Sequence, residues 1–200
     1  ANDFVSIPSH AGTHLDAPWH FGPMAEGKPA KTADQLPLEW CYGDGVLLDF
    51  SHKKPNDPIS VVELMKELER IGYDLKPGNI VLIRTGAEEH YFTDPNFCEV
   101  ATGLSGDALM WLFGKGIRTM GTDSFTLDIS IQIMSQKLKA GDRAAYFPVH
   151  CGSVVKESCH AEKLFNLNKL PRPYGFKVAM FPIKIEGGAV VSGHRRRDVW

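Results

Sequence analysis

The sequence predicts an α/β domain built on a largely buried sheet, and three observations point to it. Continuous apolar runs of strand length recur, as at Val46-Leu47-Leu48, Ile80-Val81-Leu82-Ile83 and Val178-Ala179-Met180-Phe181. Segments with helical spacing of apolar residues alternate with those runs, and Gly and Pro are spread through the chain without a concentrated linker. Unbroken apolar strands separated by helices suit a sheet covered on both faces.

Asp44 to Phe50 is expected as a short buried strand, followed by a polar, Pro-containing loop from Ser51 to Pro58. Ser60 then stands three residues before Glu63, the spacing of a capping box. Val61, Leu64, Met65 and Leu68 fall at i, i+3, i+4 and i+7, one buried face of a helix that Gly72 is placed to stop. Asn79 to Thr85 reads as a continuous apolar strand. Leu104-Ser105 opens a second helix, whose Ala108, Leu109, Leu112 and Phe113 form its buried stripe before Gly114 and Gly116. Ile117 to Gly121, Ala144 to Val149 and Phe176 to Ile185 are further strand candidates.

The 200 residues carry 22 Lys+Arg against 24 Asp+Glu, a formal net charge of -2, which removes the broad basic footprint of a nucleic-acid binder. The one dense basic run, Arg195 to Arg197 beside His194, reads as a solvated or subunit-contacting tail. No apolar stretch approaches bilayer length and no signal segment opens the chain, so a cytoplasmic protein without membrane partners is expected. Cys41, Cys98, Cys151 and Cys159 contain no CxxC pair and are expected as reduced thiols. One domain over residues 1–200 is large enough to fold without a structural metal.

The segment that carries chemistry is Ser9-His10-Ala11-Gly12-Thr13-His14-Leu15-Asp16-Ala17-Pro18-Trp19-His20-Phe21. It gathers His10, His14, His20 and Asp16 into eleven positions, and imidazole with carboxylate is a ligand set for zinc or manganese. On a helix His10 and His14 would share a face while Asp16 pointed away. On a straight strand the four would share parity but spread over roughly 33 Å. A bend is therefore required; Gly12 permits one, and Pro18 disfavours a helical Ala17 and helps fix a turn ahead of His20. A lone histidine is ordinarily a satisfied loop or core residue, but a cluster with an interposed Asp reverses that expectation.

The run HAGTHLDAPWHF resembles the signature of the cyclase-like family of metal-dependent hydrolases, which includes bacterial kynurenine formamidases and isatin hydrolases. The resemblance continues through VLIRTG (Val81 to Gly86), GLSGDALMWL (Gly103 to Leu112), GTDSFTLD (Gly121 to Asp128) and EKLFNL (Glu162 to Leu167). It implies a swivelling β/β/α architecture, a mixed sheet core with outer helices, and a divalent metal centre of one or two ions, zinc or manganese. It implies His10, His14 and Asp16 as ligands, with Asp16 able to bridge to a second ion, and His20 as general acid/base. His150 and Glu162, twelve residues apart, match the remaining ligands of the formamidase branch. The polar run Lys156-Glu157-Ser158-Cys159-His160-Ala161 departs from the family's apolar one, so Glu157 and His160 are rival ligands. Only Ala1 to Ser9 precede His10, so the family's N-terminal strand is expected to be missing.

The implied activity is cleavage of a C–N bond in a formamide, amide or cyclic amide by a metal-activated water, in an arylformamidase-like manner. The substrate would be a small molecule, aromatic ones included, and the protein a homodimer or homotetramer. Lactone or ester hydrolysis on the same site, and a non-catalytic metal-binding family member, are the alternatives. A thiol hydrolase using Cys151 or Cys159 with His150 or His160 is a weaker rival, because Cys151 and His150 would point to opposite sides of a strand and both thiols read as buried hydrophobes. Asp123 and Asp128 read first as turn or cap formers, and Trp19 and Phe21 equally as core or as a stacking wall; neither group is assigned to the site.

Overall fold

The computed structural model describes residues 2, 6–100 and 102–194, with backbone alone for 191–194. The Arg195 to Arg197 run lies outside the described residues. Four parallel strands form the centre of the sheet: β4 (Tyr42–Asp49), β5 (Ile80–Arg84), β6 (Thr119–Thr122) and β7 (Cys159–Glu162). Antiparallel strands extend both sides. β8 (Tyr174–Ala179) pairs with β4, while β1 (His14–Asp16) pairs with β7, β10 (Val190–His194) with β1 and β9 (Phe181–Pro182) with β10. The order is β8-β4-β5-β6-β7-β1-β10-β9. A separate small hairpin joins β2 (Met24–Ala25) to β3 (Lys28–Pro29).

β8 and β9 stand at opposite ends of that order yet are separated in sequence by Met180 alone. The sheet therefore curls until its two ends meet along one continuous segment, and its two faces have different fates. Leu15, Leu47, Ile80, Leu82, Cys159, Ala161, Val178 and Met180 fill the concave interior. Their strand neighbours Val46, Leu48, Val81, Ile83 and Met120 point outward, where α2 (Val61–Ile71), α3 (Gly106–Gly114) and Val149 cover them. Strand alternation with period two makes this division. The result is the expected mixed sheet with outer helices.

α2 begins at the expected cap: Ser60 Oγ accepts from Glu63 N–H while the Glu63 carboxylate accepts from Ser60 N–H, and Gly72 ends the helix at φ +68°. Its buried stripe is narrower than the spacing suggested. Leu64 and Leu68 are buried, but Met65 is 54% exposed because the core meets the Val61–Leu64–Leu68–Ile71 line of the helix. α3 follows the expected pattern, capped by Ser105.

Ala144 to Val149 is not a strand. Phe147 takes a left-handed conformation and Pro148, which has no N–H to give a ladder, opens the short helix α5 (Pro148–Gly152). His150 and Cys151 therefore lie on a helical turn, and Cys151 is exposed instead of buried. Phe176 to Ile185 likewise divides, since Met180 donates its N–H to Cys41 and the chain passes from one end of the sheet to the other. β7 and the helix α4 (Ile131–Lys139) add to the elements expected. Among the described residues no helix is long and apolar enough to cross a membrane.

Candidate metal centre

β1 and β7 run antiparallel with His14 opposite Glu162 and Asp16 opposite His160. Leu15 and Ala161, between them, point into the interior of the curled sheet. By alternation His14, Asp16, His160 and Glu162 share the outer face, where the apolar layer under the helices gives way to polar side chains. All four are buried. A two-strand register thus gathers residues that are far apart in sequence.

His10 reaches the same point by the bend. Gly12 takes φ +64°, Ala11 donates its N–H to Pro8, and His14 Nδ1 lies 2.9 Å from the Gly12 carbonyl. Lys163 secures this turn from β7: its Nζ donates to the His10 carbonyl at 2.9 Å and its own carbonyl accepts from Thr13 Oγ1. His10 Nδ1 then sits 3.1 Å from His14 Nε2 and 3.7 Å from Asp16 Oδ1, and His14 Nε2 is 3.5 Å from both Asp16 Oδ1 and Glu162 Oε2. Ala17 is extended, and Pro18 opens the single helical turn α1 (Pro18–Phe21), which places the His20 ring 4.8 Å from that of His10.

These residues fit a divalent cation. Ligand atoms about 2.1 Å from a tetrahedral ion lie about 3.4 Å apart, the scale of the separations just given. Neither buried oxygen of Asp16 finds a hydrogen-bond partner among the described residues, a costly condition for a carboxylate at 0% exposure. With His14 Nδ1 donating to the Gly12 carbonyl, Nε2 keeps its lone pair toward the cluster. His150, on α5, is oriented in the same way by Asp128, whose Oδ2 lies 2.6 Å from Nδ1, leaving Nε2 to face the site. Asp128 also accepts the backbone N–H groups of Val149 and His150, so it is at once cap and orienting group.

Of the two rivals in the polar run, His160 is inside the cluster, with Nε2 3.2 Å from Asp16 Oδ2 and 3.2 Å from Glu162 Oε1. Glu157 is elsewhere, paired with Lys31. Ligand atoms of Asp16, His150, His160 and Glu162 lie within 4.8 Å of one another, as do those of His10, Asp16 and His20. The strand Cys159–Glu162 was hidden by its polarity; read at period two, it places His160 beside Glu162. Nothing in the sequence singles out Asp128 over Asp123, which instead holds the loop after β5 through the N–H groups of Thr85 and Gly86.

Burial lowers His20 to about 4; Asp16 opposes the shift and the neighbouring histidines add to it, so the ring is neutral near pH 7. Burial also lowers His10, against the pull of Asp16. His160 behaves differently: burial alone would lower it, but the Asp16 and Glu162 carboxylates outweigh that and raise it to about 10. Glu162 is held below the usual carboxylate range, since His14 and His160 overcome the upward push of burial. The Asp16 and Glu162 carboxylates thus favour positive charge at His160. Phe21 packs against it, its ring 4.9 Å from His160 and 5.3 Å from His150, while Trp19 is 43% exposed.

The chain belongs to the cyclase family: the family model described as "Putative cyclase" matches residues 2–129, well over half of it. The isatin hydrolase of Roseibium aggregatum is 25% identical over 195 residues, covering 93% of this chain and 70% of that protein. A crystal structure of an isatin hydrolase bound to the product analogue thioisatinate superposes with a TM-score of 0.79 at 22% identity, over 94% of this chain and 71% of that one. A potential metal-dependent hydrolase with cyclase activity gives a TM-score of 0.62 at 22% identity, over 98% and 83%. The matched family segment contains His10, His14, Asp16 and His20 and ends before His150, His160 and Glu162.

Proposed function

We propose that this chain is a metal-dependent hydrolase that cleaves a C–N bond in a formamide, amide or cyclic amide. The observation that carries the reading is a neutral, half-buried His20 beside a buried set of imidazole and carboxylate donors. Isatin is a cyclic amide, so the isatin hydrolase relatives favour that member of the class for this chain.

His10, His14 and Asp16, with Glu162 adjoining, would hold a divalent cation, which would supply Lewis acidity toward water and a substrate carbonyl. The remaining work falls to the protein. His20 accepts the proton of the attacking water at a ring nitrogen, then returns it to the leaving nitrogen. The C–O bond thus forms and the C–N bond breaks with the nitrogen released from the carbonyl carbon as a neutral amine, which in a cyclic amide stays tethered to the ring-opened product. A ring at about 4 is unprotonated before the reaction and ready to accept. Asp128 holds His150 in one tautomer, and Phe21 packs its ring against those of His150 and His160. The thiol alternative has little support. Burial pushes the Cys159 thiol up to about 12, and burial also raises Cys151, away from the thiolate a nucleophile needs.

The test is hydrolysis of isatin and N-formylkynurenine by the purified protein alongside elemental analysis. His20→Ala is expected to keep its metal content while turnover falls about a hundredfold or more. Full activity in that variant would refute the role given to His20.

A further inference from the structure

We propose that Lys163 is a positioning residue: it offers the cation no ligand atom, but it holds His10 in ligating place and so sets how tightly the centre binds metal. This rests on the metal-dependent reading above and adds to it a residue that acts through a ligand.

His10 has the least of its own to fix it. Its side chain is 46% exposed, where those of His14 and Asp16 are fully buried, and it lies ahead of β1, so no strand register sets its place. Its ring meets those of His14 and His20, which belong to the same cluster. The hold comes from β7. Lys163 Nζ donates to the His10 carbonyl at 2.9 Å and the Lys163 carbonyl accepts from Thr13 Oγ1, so one residue grips the turn on both sides of Gly12. Lys163 is itself fixed against the loop after β6: its N–H donates to the Ser124 carbonyl at 2.9 Å, and its Nζ lies 4.5 Å from the centre of the Phe125 ring.

The backbone shows that this side chain is aimed. Period two would send residue 163 into the interior of the curled sheet with Cys159 and Ala161. Lys163 instead takes φ +54°, β7 ends at Glu162, and the interior position passes to Leu164. A left-handed backbone is unfavourable for a residue that carries a Cβ, and such strain persists where the surroundings over-determine it, commonly at functional sites. The competing reading is a lysine kept for a structural ion pair. Lys163 is only 8% exposed, yet among the described residues it forms no ion pair, and its Nζ finds one acceptor, the His10 carbonyl. A buried ammonium is costly unless it is hydrogen-bonded, so that single bond accounts for its position.

The experiment is titration of the metal-stripped full chain with Zn2+ by calorimetry in competition with a chelator. The proteins are the wild type, Lys163→Met, Lys163→Arg, His10→Ala and the double variant His10→Ala/Lys163→Met. Met keeps the stem over Phe125 and removes the donor, and zinc affinity is expected to fall about 10–100-fold, the usual cost of losing a group that orients a ligand. Arg keeps a cationic donor and is expected to bind zinc more tightly than Met. Because Lys163 acts through His10, adding Lys163→Met to His10→Ala is expected to cost nothing further, whereas a general structural role would cost as much in either background. If Lys163→Met fails to fold by circular dichroism, Thr13→Val, which removes the other half of the grip, carries the same comparison. Wild-type affinity in Lys163→Met would overturn the proposal, as would an equal loss in Met and Arg or an undiminished loss in the His10→Ala background. Absence of any zinc binding by the wild type would instead overturn the metal-dependent reading on which the proposal rests.

Discussion

Asp16 shows what a single residue can and cannot reveal. Its place between two histidines and a Pro-Trp-His turn marks it from sequence as a candidate ligand, and the structure buries it beside His14 with the more exposed His10 also at ligand-to-ligand separation. Its two oxygens turned toward different partners cannot be read from spacing, because the second set comes from the opposite strand. Asp128 is the converse. An Asp among Gly, Ser and Thr looks like a turn former, and it does cap α5, yet the same carboxylate fixes His150. Asp128→Asn keeps an acceptor for the cap but can offer Nδ1 an amide donor, which favours the wrong tautomer. We expect metal affinity or turnover to fall about 10–100-fold, with a loss of stability of about 1–3 kcal/mol because the His150 N–H, which Oδ2 also accepts, loses its acceptor; zinc titration and denaturation of the same sample measure both.

At the scale of elements, the sequence is legible wherever apolar periodicity or a cap is strong. α2 and α3 begin at Ser60 and Ser105 as their spacing requires, and the apolar strands β4 and β5 lie where the hydrophobic runs are. The Ser60–Glu63 capping box belongs here: Ser60→Ala is expected to destabilise the protein by about 1 kcal/mol with no change in metal content, as read by urea unfolding. The failures have physical causes. β7 is polar because its outward residues, His160 and Glu162, face a site instead of a hydrophobic layer. Ala144 to Val149 is apolar enough for a strand, but Pro148 removes a ladder donor and suits the first turn of a helix. Met65 has the right spacing and lies at the margin of the stripe the core covers.

Across the whole molecule, the curled sheet separates two tasks. Its interior is sealed by Leu15, Leu47, Leu82 and Ala161, which anchors β1 and β7 without using their outer faces. Those outer faces are then free to carry four buried polar side chains under α1 and α5. The histidine-rich turn near the start of the chain and the Glu162 strand near its end are joined by the β1–β7 ladder and by Lys163. The arrangement is a long-range one, which is why the first half of the site is plain from local spacing and the second half depends on topology. The most direct measurement of the central claim is anomalous X-ray scattering at the zinc edge from crystals of the zinc-loaded protein. A peak bounded by His10 Nδ1, His14 Nε2 and Asp16 Oδ1 is the predicted result. Full zinc loading with no anomalous density at that position would contradict it.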